Sequence, residues 1–339
     1  MSASANEGGV GRLRQLLRLI LALVYFYVAW RFAVHGAAGL ANERWMPLVE
    51  SAMLGFLLLI GYAGFGIVFD RQQQPLAEQG LPCRAGWRAE FGLGTACGWA
   101  IALCAVLPLV FIGGIVIRLQ TGITDWALLL GDGLYFLAAT FVEEIVFRGY
   151  PFQKLSRVLG SFSAALLFAA VYAALQSAIP GANKVSILVS LLFSLLLTMA
   201  YLRTRALWVS WGLNFAWKAS RALLFGLAVS GVTLHSPVVA GDPVGPFWLT
   251  GGGFGLDGSW VTLLLMLAAL PVLYRLTREL DFVHNAPVLI PGGIPVDIDA
   301  AAQRQHETAM GPVAATVPSL VQIAPPPAPA PLPSQDLPK

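Results

Sequence analysis

Charge is scarce in this chain. Asp, Glu, Lys and Arg make up only 12% of its 339 residues, against ~25% in soluble domains. That shortfall argues against a water-solvated globule and fits lipid, where an ionised side chain at the bilayer centre costs roughly 2.5–3.5 kcal/mol even on lenient scales. Histidine is rarer still, with His35, His235, His284 and His306 the complete set. The three cysteines, Cys83, Cys97 and Cys104, show neither disulfide-framework nor zinc spacing. Cys97 and Cys104 fall in an apolar run and read as small core residues. No metal site is expected, because carboxylates without imidazole make a poor transition-metal site. No cofactor is expected either, since Gly251–Gly255 neither follows a strand nor opens a helix and reads as a turn-rich loop. The net charge of +3 is small and scattered, which excludes nucleic acid as a partner.

What is abundant is apolar sequence, 57% of the chain. A hydrocarbon core ~30 Å thick takes ~20 apolar residues in a helix. Runs of that kind fall at 16–35, 46–69, 91–117, 126–147, 161–179, 185–202, 206–231 and 258–274. The expected fold is therefore all-α, a polytopic membrane bundle of about eight transmembrane helices. The first run, flanked by Arg12–Arg18 and Gly39-Leu40-Ala41, could imitate a signal peptide, but its length favours a retained helix. Basic residues decide orientation. With the N-terminus inside, the inner ends carry Arg12, Arg14, Arg18, Arg71, Arg84, Arg88, Lys154, Arg157, Arg203, Arg205, Arg275 and Arg278, whereas the outer ends carry Arg31, Arg44, Arg118 and Lys184. Twelve against four predicts a cytoplasmic-membrane protein with both termini in the cytoplasm.

The domain reading has three parts. Residues 1–15 form a cytoplasmic N-terminus, 16–280 the bundle with a motif-bearing core at about 126–232, and 281–339 a disordered tail ending in APPPAPAPLPSQDLPK. Between spans, 70–90 reads as a cytoplasmic connection with a short interfacial helix anchored by Trp87.

Ionisable groups inside the membrane are functional candidates by default. They concentrate in Phe141-Val142-Glu143-Glu144-Ile145-Val146-Phe147-Arg148-Gly149-Tyr150. Glu144 and Arg148 stand i,i+4 on one helical face and can pair. Glu143 lies ~100° around the helix and is freer to face a cavity. With one carboxylate neutralised, the other could act as a base. The alternative is a juxtamembrane salt bridge of purely structural value. Asp132, eleven residues before Glu143, falls on nearly the same face, and Gln176 stands one turn past Tyr172. Both are expected to extend a polar lining.

Glu-Glu-x-x-x-Arg followed by Gly-Tyr resembles the first motif of the CAAX prenyl protease and bacteriocin-processing family. The similarity runs on in order. Leu167-Phe168 resembles the opening of the family's Phe-x-x-x-His motif. Ala200-Tyr201-Leu202-Arg203-Thr204 and Leu207-Trp208 resemble the approach to its His-x-x-x-Asn motif. Phe225–Gly231 and Leu249–Gly255 resemble stretches of bacterial members. Together these cover roughly residues 85–275. The resemblance implies an eight-helix bundle with a polar intramembrane cavity open to the cytoplasm. It also implies endoproteolysis by a glutamate-activated water, assisted by the first histidine, with the second histidine and the asparagine stabilising the oxyanion. Carried over, Glu143 is the base, Glu144 and Arg148 its supporting pair, and Phe168 part of the cavity wall.

The later motifs are degenerate. Tyr172 stands at the first histidine position, Asn214 at the second, and Lys218 at the asparagine position. A tyrosine hydroxyl is a poor proton acceptor near neutral pH, and an amide can donate to an oxyanion but cannot take up a proton. Tyr172 is either a core aromatic or a residual donor, and Asn214 an interhelical hydrogen-bonder or an oxyanion donor. Lys218 is either a counter-ion to Glu143 or Glu144 or a functional acid. The expected protein is a membrane-embedded relative of these proteases with reduced or absent proteolysis. The alternative is an active glutamate-dependent endopeptidase cleaving membrane-associated proteins or peptides. Its expected partners are the lipid bilayer and, as a candidate, such a protein or peptide.

Overall fold

In hydrocarbon every backbone N–H must find its acceptor within its own segment, so the apolar runs become helices. The computed structural model describes residues 2–120, 122–232, 238–285, 288–289 and 295–296. The chain divides into two units, Met1–Asn285 and Ala286–Lys339. In the second, Val288–Leu289 pairs antiparallel with Pro295–Val296, and the rest of the expected tail lies outside the described residues. The tail was expected to begin at 281, but the helix Arg278–Asn285 continues through that boundary.

In the first unit, α1 (Ser2–Leu40), α2 (Met46–Asp70), α3 (Pro75–Glu78) and α4 (Trp87–Phe111) are followed by strand β1 (Ile115–Leu119). Next come α5 (Ile123–Arg148), α6 (Tyr150–Leu159), α7 (Ser161–Ser177), α8 (Lys184–Thr204) and α9 (Trp208–Ala219), which runs into a π turn at Ser220–Leu224. Strand β2 (Val239–Pro243), α10 (Phe247–Thr250), α11 (Trp260–Leu276) and α12 (Arg278–Asn285) complete the unit. Among the described residues four helices are long and apolar enough to cross a membrane, namely Gly11–Leu40, α2, α4 and α8, while α7 and α11 are shorter apolar helices. α5 has 26 residues, ~39 Å at 1.5 Å per residue, but bears the charges discussed below. Large apolar side chains such as Leu17, Phe32, Phe56, Phe162 and Leu264 are exposed on the outside, a surface that calls for a lipid environment.

Two expected spans are shortened. The third was read as helix to residue 117, yet Phe111 ends it and Gly113 turns at φ 75°. Ile115–Leu119 then pairs antiparallel with Val239–Pro243, where β-branched residues gain ladder bonds unavailable to a fraying helix end. The seventh was read as continuous to 231, but regular helix stops at Ala219. Gly226 (φ 62°) then passes beneath β2, where a Cβ would meet the Val239 carbonyl oxygen at 2.2 Å. Trp87 is not on an interfacial helix; it opens α4, and its ring centroid lies 4.6 Å from that of Trp208.

The tightest helix contact decides where the candidate site forms. Added Cβ atoms at Gly94 and Gly98 of α4 would lie 2.1 and 2.4 Å from the carbonyl oxygens of Val209 and Leu213, and one at Gly212 of α9 would lie 2.3 Å from that of Phe91. α4 and α9 therefore touch backbone to backbone, the small-residue packing on which helices in lipid rely. This fixes α9 against the bundle with Asn214 and Lys218 buried. α1 is part of the same packing, since Ala22, Ala29, Ala33 and Ala37 are buried.

Candidate functional site

α5 delivers Glu143, Glu144 and Arg148 near its C-terminal end, and Gly149 stops it there. A Cβ on Gly149 would sit 2.4 Å from the Ile145 carbonyl oxygen, so the glycine lets α6 start at once in a new direction. The Gly-Tyr of the motif thus shapes the corner beneath the charges.

Glu144 and Arg148 pair, as their i,i+4 spacing allows, at 3.1 Å, with side chains 0% and 2% exposed. Arg148 also donates to the backbone oxygen of Ser194 (3.1 Å) and to its hydroxyl (3.4 Å), tying α5 to α8. Ser210, also buried, donates to the Leu207 carbonyl oxygen at 3.1 Å, and Glu144 Oε2 has no hydrogen-bond partner among the described residues. Glu143 is different, because 30% of its side chain is exposed. That contrast separates a carboxylate that a second molecule can reach from one enclosed by protein.

α9 closes the arrangement. Asn214 Nδ2 donates to both carboxylates, to Glu143 Oε2 at 3.0 Å and to Glu144 Oε1 at 2.9 Å. One turn on, Lys218 Nζ donates to Glu143 Oε1 at 2.5 Å and to Oε2 at 2.6 Å. Sequence left two partners open for this lysine, and the structure pairs it with Glu143. Both Glu143 oxygens thus accept from the ammonium, and one accepts from the amide as well. The lone pairs that a base would offer to a water are largely engaged.

Tyr172 is brought to the same region. It accepts a hydrogen bond from Gln176 Nε2 at 3.3 Å and lies edge-on to Phe147, with ring centroids 5.2 Å apart. Tyr172, Gln176 and Lys218 line one small polar cavity of about 10 Å³ together with Ser190, Arg221 and Asp257. Two expected lining residues are elsewhere. Asp132 is held by Arg44 at 2.7 Å and borders a separate pocket of about 250 Å³ with Trp45 and Tyr135. A shared helical face over eleven residues carried it three turns away from Glu143, too far to share a cavity. Phe168 is buried against Phe147 and Phe152, with centroids 6.0 and 5.8 Å away, as an aromatic core residue rather than cavity wall.

Sequence reading passed over Ser194, Ser210 and the buried pair Arg221–Asp257 (2.8 Å). Arg221, one turn past Lys218 and stacked on Trp217 at 3.9 Å, was detectable as another charge in an apolar span. The serines carried no comparable signal. Of the histidines, His35 bonds the Arg31 carbonyl oxygen at 2.7 Å and His284 lies on α12. His235 and His306 fall outside the described residues. Among the described residues no group of three His, Cys, Asp or Glu could hold a metal ion.

An apolar helical bundle enclosing a few tightly paired charges defines a multi-pass membrane protein. Residues 125–220 match the family model described as "Rce1-like: Type II CAAX prenyl endopeptidase Rce1-like". The match covers α5 to α9, which carry every position of the three motifs, and this core is similar to the type II CAAX prenyl endopeptidases. No curated protein and no solved structure matches it significantly.

Proposed function

We propose that this protein is a membrane-embedded relative of the CAAX-type endopeptidases whose own proteolysis is reduced or absent. In this reading the part-exposed Glu143, backed by the buried Glu144–Arg148 pair, serves to bind a membrane-associated protein or peptide. Residues 16–280 form the bundle, set in the cytoplasmic membrane with both termini in the cytoplasm. One observation carries the reading: the Lys218 ammonium stands 2.5 and 2.6 Å from the two oxygens of Glu143, where hydrolysis needs a carboxylate open to water. A positioned proton-transfer group contributes typically ~10²–10⁴ in rate, and Tyr172 and Asn214 supply no imidazole. Loss of an oxyanion donor costs a further ~10²–10³, which Asn214 offsets only if it leaves the two glutamates it now joins.

A second reading, an active glutamate-dependent endopeptidase, is favoured by the partial exposure of Glu143. It requires Lys218 to swing aside and Glu143 to activate water without histidine. Purified protein in detergent, assayed with a fluorogenic prenylated peptide and a peptide library, separates the two. Under the first reading the native chain is inert and Tyr172→His alone stays inert, because Lys218 still occupies Glu143. Tyr172→His/Asn214→His/Lys218→Asn is the variant expected to gain activity. Native turnover abolished by Glu143→Ala would refute the first reading.

A further inference from the structure

A second concentration of charge lies apart from Glu143, where α1, α2 and α6 converge. Asp70, the last residue of α2, is 4% exposed and receives three cations: Arg18 Nη1 at 2.6 Å, Lys154 Nζ at 2.5 Å and Arg157 Nη1 at 3.7 Å. One carboxylate cancels one positive charge, so the cluster keeps a formal +2. The surplus is held in place. Arg18 also donates to the Phe69 carbonyl oxygen at 2.5 Å, and Lys154, with no exposed side-chain surface, lies 4.4 Å over the Tyr150 ring. Arg157 turns outward, its side chain 49% exposed. Arg14 stands one turn before Arg18 on the same face of α1 and is exposed.

The surroundings say what kind of anion would neutralise this surplus. α6 buries Tyr150, Phe152 and Leu155 in the core of the bundle while presenting Arg157 outward. Exposed Leu17, Leu159 and Phe162 flank the cluster in sequence. A fixed cationic site at the edge of an apolar surface favours an amphiphile with an anionic head. Basic pockets between transmembrane helices at the bilayer boundary bind such headgroups.

We propose that Arg157 and the part-exposed Arg18, organised by Asp70 and backed by the buried charge of Lys154, form a binding site for the phosphate of an anionic phospholipid. Asp70 holds Arg18 and Lys154 in position before the lipid arrives and cancels only part of their charge. The site is separate from Glu143 and does not depend on whether that residue hydrolyses anything.

The test uses the full-length protein in neutral detergent with phosphatidylglycerol or phosphatidylcholine of identical acyl chains. Bound lipid is read by native mass spectrometry and stability by thermal unfolding. Phosphatidylglycerol should be retained preferentially and raise the melting temperature more. Arg157→Gln, at a half-exposed position, should reduce that preference about fivefold. Arg118→Gln, whose side chain is 68% exposed on β1, should leave it unchanged. Equal retention of the two lipids by the native protein would overturn the proposal, as would equal losses in the two variants. Inorganic phosphate stabilising as well as phosphatidylglycerol would overturn the lipid as ligand.

Discussion

Removing Arg148 tests the logic of the buried charges most directly. Its guanidinium pairs with Glu144 at 3.1 Å, and both side chains are essentially sealed from solvent, so water cannot screen the survivor. Arg148→Ala leaves an enclosed carboxylate with only the Asn214 amide to stabilise it and cuts the link from α5 to Ser194 on α8. Breaking a buried pair from one side costs about 3–5 kcal/mol, which multiplies the unfolded-to-folded ratio by roughly 10²–10⁴. Replacing both charges while keeping volume, as in Glu144→Gln/Arg148→Met, leaves no stranded ion and should fall within ~1 kcal/mol of the native protein. Thermal unfolding of detergent-purified variants, with folded yield by size-exclusion chromatography, gives the comparison. A single variant as stable as the double one would refute the argument, since Glu144 would then not depend on Arg148.

Gly98→Val should lower stability by about 1–3 kcal/mol or more, because its first carbon meets the Leu213 carbonyl oxygen at 2.4 Å; an unchanged melting temperature would show that α4 and α9 can separate freely. Reporters fused after Gly11 and after Asp281 should read cytoplasmic and one inserted near Asp242 exterior, and a cytoplasmic signal from Asp242 would sink the proposed topology. Burial, with Arg84 nearby, lowers the pKa of His284 on α12 below its ordinary 6.5, although Glu90 opposes this. The unfolded chain therefore takes up this proton first as pH falls, so stability drops below pH 6.5 and the penalty is complete below the folded value. His284→Gln should flatten that drop in melting curves between pH 7 and 5, and an unaltered slope would show that His284 contributes nothing to it.

Much of the site was legible because its signals are local. Glu144 and Arg148 are four positions apart, which is enough to place them on one helical face, and a charge inside an apolar run announces itself. Asn214 and Lys218 were marked by their places in the family motif that the sequence resembles. Asp132 shows where this reasoning fails. Facing the same way along a helix says nothing about depth, and Arg44, 88 positions earlier in the chain, holds it elsewhere. Phe168 fails for a related reason, since an aromatic on the right helix packs wherever neighbouring rings leave room.

Composition and pattern alone determined that this chain is a bundle of apolar helices, because backbone hydrogen bonding and the cost of charge in lipid leave few other structures for such a sequence. They also determined that Glu143, Glu144 and Arg148 sit together, since helix geometry acts within a few residues. Only tertiary structure decided that Lys218 takes Glu143 and that Asn214 joins both glutamates. It alone ended the third and seventh spans early, through a strand pair linking residues over a hundred positions apart. Those outcomes depend on how closely α4 and α9 approach, and that distance is set by three glycines whose missing side chains matter only when the opposing backbone is in place.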